Sequence, residues 1–569
     1  MKDNLQVTSD ERLAWWREAR FGMMITWGIF ALEAAGEWVQ YKRRIPVREY
    51  ERLATRFNPL RFDAGEWVRC AKQAGMKYLV AMAKHHDGFA MFPSKVSSYN
   101  IVEATPWKRD FLKELADTCR EEGLRFGLYY YHVREWHHPH ATSLEPHTAT
   151  HYGNYGNFWD YPHEEHNDLQ IFLNEVSLPQ LREVLVLYRP DLLWFDTPSL
   201  LRPDQAAEFY SLVRSLCPDC LINSRIGKTA DSDYLSCGDN EIPELDGIDF
   251  ETPMVMNGAW GYNTHAEKVY LPTEKFLNDL IATASRGGNY LLNVGPDPLG
   301  CFQDEAKTRL REIGDWMDVH GEAIYGTVSV PLREPAWGKL TSKKNADVLY
   351  LFVQRWQSEI VLRGLESAVS RCTLLSTGQD VNFAIRDFAG LTRELVLTPP
   401  EGVFVIRVEL AEPLHVCAEI IEDELGAIEM KASHGNIEKG TDSCAILGAS
   451  SAFEGWRDDD VRISWQFTAA FDGVYVIEAE LKTDFFGEWD SGYTIHTECA
   501  GQQTSARFDL PEGYVSKLCS YETKALALGS IALKRGRHEL TISASDVAAT
   551  LKTWRGVTLA SVTLHRQKA

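Results

Sequence analysis

The chain has 569 residues, a formal net charge of −22, 44% hydrophobic and 25% charged residues. This is the composition of a water-soluble globular protein with enough apolar material for more than one domain. The acid excess argues against nucleic acid or an anionic membrane surface as partner, because both reward a basic face. No apolar run approaches the roughly 18 residues of a membrane span. The N-terminal MKDNLQVTSDERLAWW lacks the apolar core of a secretory signal. Eleven scattered cysteines fit a reducing compartment better than a disulfide framework, so a cytoplasmic location is expected.

From about residue 20 to 330, short apolar runs alternate with helical patterns. GMMITWG (22–28), KYLVAMAK (77–84), RFGLYYY (125–131), DLLWFD (191–196), CLINSR (220–225) and NYLLNVGP (289–296) read as buried parallel strands. Between them lie segments such as GEWVRCAKQAG and FLKELADTCREEG, which close on the glycine common just past a helix end. The alternation predicts an α/β fold, a (β/α)8-type barrel over residues 1–330 with six clear strands. Beyond the helical segment 304–326, short alternating strands predict two all-β sandwich domains, 331–420 and 421–569. Phe485, Phe486, Trp489 and Trp554 in the last one are aromatic candidates for stacking on a sugar. The Cys217-Pro-Asp-Cys220 motif has no second pair at zinc spacing and reads as a helix–strand turn.

Polar and aromatic groups gather where the strand patterns end: Thr26, Trp27, His85, His86, Tyr130, His132, Trp194, Asp196 and Arg225, joined by Trp38, Trp136 and Trp260. In a barrel of this kind the strand C-termini form the active site. Aromatic faces beside histidine and arginine donors suit a sugar. The histidine-rich 129–142 stretch lacks the ligand spacing of a metal site, so neither metal nor cofactor is expected. Sugar hydrolysis needs two carboxylates flanking the scissile bond. Asp196, a strand-end acid behind aromatics, is the natural nucleophile, and Glu241, Glu244 and Glu251 are available as its partner.

Several blocks, in order over residues 11–327, resemble the glycoside hydrolase family 29 α-L-fucosidases. They include FGMMITWGIFAL, KHHDGFAMFPSKVSSYN, LLWFD, INSRIG, the ET…NGAWGY segment and GGNYLLNVGPDPLG…GEAIYGT. The resemblance implies a retaining exo-hydrolase of terminal α-L-fucosides, acting without metal on a fucosylated oligosaccharide or glycoconjugate. It implies Asp196 as nucleophile and Glu244 as acid/base, with Glu251 in reserve. Glu37, Trp38, His85, His86, Tyr130, Trp194, Arg225 and Trp260 would line the sugar pocket. Three positions depart from the family's usual pattern: Thr26 stands for a histidine, Thr197 for a glycine, and Glu135 for an aspartate. The first of these leaves a related sugar such as α-L-galactose open as substrate, and a non-catalytic sugar-binding protein is the alternative from another class.

Overall fold

The computed structural model describes residues 10–141, 156–162, 167–197, 201–227, 231–243, 247–264, 269–345, 347–438, 445–446, 452–483, 489–514, 522–550 and 556–567. The chain divides into two compact units, the first running to Ser329 and the second built on Val330–Ala569.

The first unit is an eight-stranded parallel sheet: β1 (Phe21–Ile25), β2 (Tyr78–Lys84), β3 (Arg125–Tyr130), β4 (Leu192–Trp194), β5 (Leu221–Ile222), β6 (Leu235–Ser236), β7 (Phe250–Val255) and β8 (Asn289–Val294). Their spatial order is β5-β4-β3-β2-β1-β8-β7-β6. One parallel bridge, Asn223 to Tyr234, joins the β5 and β6 edges and closes the ring. β1, β2, β7 and β8 are buried at every position, since the barrel interior covers one face and helices cover the other. That double burial is why β1, β2 and β8 read as largely apolar runs.

Helices Ala64–Gln73, Phe111–Glu121, Leu178–Tyr188, Pro203–Leu216, Thr273–Ser285 and Asp304–His320 form the outer layer. Asp63 and Asp110 begin the first two, each accepting a backbone N–H of the first turn. Gly314 lets the last helix cross very close to the first: a Cβ there would stand 1.8 Å from the Gln73 carbonyl oxygen. A short 3-10 turn, Ser224–Ile226, is the only helical turn described between β5 and β6.

Two of the eight strands carry no apolar run. β6 is two residues long, and β7 is Phe-Glu-Thr-Pro-Met-Val, whose polar centre hides a wholly buried strand.

The second unit contains two separate apolar cores. One gathers Trp337, Leu349, Leu351, Leu395 and Ile406 between antiparallel sheets. The other gathers Trp456, Ile463, Trp465, Ile477 and Leu564 between two larger antiparallel sheets. Trp489 is packed in this second core, its indole N–H donating to Glu522 at 3.1 Å, so it offers no free face for a sugar. Phe485, Phe486 and Trp554 lie outside the described residues.

Candidate active site

The site is built on the C-terminal ends of the barrel strands. β4 ends at Trp194, and the Asn223 amide exchanges two 2.9 Å hydrogen bonds with the Phe195 backbone, fixing how the chain leaves the strand. Asp196 follows. Its Oδ1 accepts from Arg225 Nη1 at 2.7 Å and from the Thr197 N–H at 2.9 Å, and its Oδ2 accepts from the Tyr129 hydroxyl at 2.9 Å. Thr197 takes a left-handed φ of 47°, the conformation that a glycine adopts freely and that costs other residues roughly 1–2 kcal/mol. The sharp turn aims the carboxylate at the mouth.

Arg225 stands in the turn after β5. Its other terminal nitrogen, Nη2, donates to Asp239 Oδ1 at 2.8 Å and to the Cys237 carbonyl. The guanidinium lies 4.7 Å from the Trp194 ring centroid. One planar cation therefore holds two carboxylates, Asp196 on one nitrogen and Asp239 on the other, a use that the arginine fork suits and a lysine does not.

His85 and His86 end β2 in a nest of rings. His85 lies parallel to Tyr129 with centroids 5.8 Å apart, while His86 stacks on Trp136 at 5.2 Å and meets Trp38 at 4.5 Å. Burial pushes the His85 imidazole down to about 4 and holds His86 well below the usual histidine range. Both rings are neutral near pH 7, suited to share hydrogen bonds with hydroxyls rather than to pair with charge.

Glu37, also buried, accepts the Gly261 N–H at 2.7 Å. The adjoining Trp260 carbonyl accepts from Asn293 Nδ2 at 2.7 Å, and Asn293 Oδ1 accepts from the Thr26 hydroxyl at 2.7 Å. Trp260 lines a cavity of about 210 Å³ together with Tyr262, Asn263 and Asn293.

Four sequence expectations need correction. Tyr130 faces away from the mouth: its hydroxyl donates to the Ser177 carbonyl at 2.7 Å and its ring lies under the Lys84 ammonium. Strand side chains alternate, so its neighbour Tyr129 is the one that meets Asp196. Glu251 cannot serve as reserve acid/base at the mouth. It pairs in register with Asn289, the first residue of β8, and so lies at the opposite, N-terminal end of the barrel. It is fully buried, accepting from Tyr78 at 2.6 Å and from the Trp194 indole at 2.8 Å. Trp194 itself is only 2% exposed and forms the floor of the site rather than a wall.

Trp27 points into the outer layer, its indole bonded to the Asp297 carbonyl and its ring packed on Phe57 and Trp67. Glu244 lies outside the described residues. Among the described residues no three histidine, cysteine, aspartate or glutamate side chains converge as metal ligands.

The family description α-L-fucosidase matches residues 2–322, more than half of the chain and the whole barrel. The chain belongs to the α-L-fucosidase family. The tissue α-L-fucosidase of Bos taurus is 29% identical over 430 residues, covering 68% of this chain and 86% of that one. The crystal structure of the α-L-fucosidase from Vibrio sp. strain EJY3 superposes with a TM-score of 0.81 at 27% identity and covers both chains completely. A GH29 α-L-fucosidase of Bacteroides thetaiotaomicron, trapped as a covalent intermediate with 2-fluoro-fucosyl fluoride, superposes with a TM-score of 0.63 at 25% identity. It covers 72% of this chain and 98% of its own. The fold is that of the α-L-fucosidases, a parallel barrel followed by antiparallel sheets, and the relatives are glycoside hydrolases.

Within this α-L-fucosidase family member, sequence reasoning passed over three residues of the site. Tyr129 was hidden by a choice between adjacent tyrosines. Asp239 sits in the same loop as Glu241 and Glu244, and its one signal in the sequence is that it is the first acid after β6; its bond to Arg225 shows only in the fold. Asn293, in the NVGP strand, gave no signal beyond its polarity in an apolar run.

Proposed function

We propose that the chain is a retaining exo-α-L-fucosidase in which Asp196 is the nucleophile and Asp239 the acid/base. The observation that carries this reading is the single guanidinium of Arg225 spanning both carboxylates. A retaining pair stands about 5–5.5 Å apart, and one guanidinium gripping both acids favours such close spacing over the wider one that admits a water. The protein around it and the Asp196 charge push the Asp239 carboxyl above its usual range against the pull of Arg225, a push tempered by solvent because 41% of the side chain stays open at the mouth. A carboxyl so raised is suited to deliver a proton.

In this scheme Asp196 attacks the anomeric carbon while Asp239 protonates the departing oxygen. Asp239 then takes a proton from the water that breaks the glycosyl–Asp196 bond. His85, His86 and Glu37 supply neutral and acidic partners for ring hydroxyls, with Trp38 and Trp260 beside them. The substrate is a terminal α-L-fucoside on an oligosaccharide or glycoconjugate. The trapped intermediate of the Bacteroides thetaiotaomicron relative supports the covalent route.

The test uses an aryl α-L-fucoside and a fucosylated oligosaccharide. Asp196→Gly abolishes turnover, and azide restores it with formation of the glycosyl azide of inverted configuration. Asp239→Ala loses most activity on the oligosaccharide and much less on the aryl fucoside, whose leaving group needs no proton. If Glu244→Ala shows that leaving-group pattern and Asp239→Ala does not, Glu244 is the acid/base. An aryl α-L-galactoside belongs in the same screen, because the Thr26 hydroxyl is bonded to Asn293.

A further inference from the structure

The barrel interior contains one carboxylate that the reaction does not touch. Glu251 is fully buried, and its hydrogen-bond donors are Tyr78, Trp194 and, at 3.4 Å, Tyr234. None of these donors is a cation. A buried carboxylate without a counter-charge is expensive, and an apolar residue of the same size would serve better if filling space were the only task. The sequence also makes room for it. Gly22, opposite Tyr78 in the β1–β2 register, carries no Cβ, and one placed there would be 2.3 Å from the Tyr78 ring. That ring's hydroxyl is the short donor to Glu251.

What Glu251 holds is the Trp194 indole. Two side chains rest on that indole: the Arg225 guanidinium 4.7 Å from the ring centroid, and the Tyr129 ring parallel to it at 5.5 Å. These are the two side chains that bind Asp196, one on each carboxylate oxygen. A column of contacts thus runs from the closed end of the barrel to the mouth. We propose that Glu251 is a positioning residue for the nucleophile, fixing the Trp194 indole on which both side-chain ligands of Asp196 are seated. This rests on the reading of Asp196 as nucleophile.

The experiment is a double-mutant cycle. Glu251→Gln keeps the shape but replaces the two carboxylate oxygens with one neutral acceptor and an NH2 donor, weakening the grip on the Trp194 indole, and Trp194→Phe keeps a ring but removes the N–H. On an aryl α-L-fucoside each single variant is expected to lose kcat by about 10- to 100-fold, with KM nearly unchanged, because a small misplacement of the reacting group is penalised on that scale. The double variant is expected to be no slower than the slower single one, since both act through one contact. Losses that multiply, or a folded Glu251→Gln enzyme with wild-type kcat, overturn the proposal. Should Glu251→Gln fail to fold, Glu251→Asp, which withdraws the carboxylate from the indole, carries the same expectations.

A second measurement separates this proposal from the assigned activity. In protein labelled with 15N-tryptophan, the Trp194 indole N–H resonance, assigned by its loss in Trp194→Phe, is expected to move upfield in Glu251→Gln. A resonance that stays in place overturns the anchor whatever the enzyme hydrolyses. Absence of any hydrolysis of α-L-fucosides by the wild-type protein overturns the fucosidase reading and leaves the resonance shift standing.

Discussion

Arg225 Nη1 lies 2.7 Å from Asp196 Oδ1, and the same guanidinium reaches Asp239 at 2.8 Å. The arginine ties together three segments that leave the barrel at β4, β5 and β6. A lysine supplies the same charge at one point but cannot span two carboxylates. Arg225→Lys is therefore expected to keep the fold and to lower kcat by about 100-fold, as misplacement of catalytic groups does. Steady-state kinetics alongside a thermal melt check this: a kcat within a few-fold of wild type means that the bridge does not set the geometry.

The neighbouring tyrosines of β3 provide an internal contrast. Tyr129→Phe removes a hydrogen bond to the charged Asp196, and such bonds contribute about 1.5–3 kcal/mol. A loss of about tenfold or more in kcat/KM is expected, with little change in melting temperature. Tyr130→Phe strips a bond to the buried Ser177 carbonyl and is expected to lower stability by about 1 kcal/mol while leaving kcat alone. Reversed phenotypes would mean that the strand presents its other face to the mouth.

Burial lifts the Glu251 carboxyl from 4.5 to about 7. The folded state then binds this proton more tightly than the unfolded chain does. The stabilisation is fully present below pH 4.5 and is lost as pH rises through 7. For this group alone the loss is on the order of 3 kcal/mol. Glu251→Gln has no such proton, so its stability, from denaturant unfolding at pH 5 and pH 7.5, is expected to decline less over that interval than that of wild type. Equal declines would show that Glu251 does not titrate there.

Thr26 acts at second hand, since its hydroxyl bonds Asn293 and Asn293 bonds the Trp260 carbonyl. Thr26→Val preserves shape but leaves the Asn293 oxygen without its donor. The expected result is a raised KM for fucosides with kcat within about threefold of wild type, the pattern of lost uniform binding. A fall in kcat at constant KM would instead place Thr26 in the chemistry.

Gly314 faces the Gln73 carbonyl where two outer helices cross, and a Cβ at 1.8 Å has no room. Gly314→Ala must push the helices apart despite alanine's better helix propensity. Overpacking of this kind costs about 1–3 kcal/mol, so the melting temperature is expected to fall. A rise would mean that the crossing relaxes freely.

The barrel was legible wherever a strand is apolar on both faces, as in FGMMI and YLVAMAK. It was illegible at β6, too short to show a period, and at β7, where Glu251, Thr252 and Pro253 interrupt the run. The site divides the same way. Asp196, Arg225, His85, His86, Glu37 and Trp260 follow strand ends or turns, and their approximate place could be read along the chain. Whether a side chain points to mouth, floor or outer layer depends on half-turns of a strand and on register across strands. That is why the sequence points to Tyr130 where Tyr129 meets Asp196, why Trp27 faces the outer layer and not the mouth, and why Glu251 reads as a reserve acid/base. Asp239 shows the remaining limit: its pairing with Asp196 exists only through a third residue.

The ring is fastened unevenly. β1 and β8 share five paired residues, whereas β4–β5 and β6–β7 share two each and a lone bridge spans β5 and β6. Arg225 and Asp239 both emerge at this thinly stitched side, while Tyr129 and the histidines extend from strands with long ladders. Insertions or deletions between Ile226 and Asp249, ahead of β7, would therefore disturb few backbone bonds. Descendants of this fold are free to remodel the departing half of their substrates there, while Tyr129 and the histidines keep their places on long ladders.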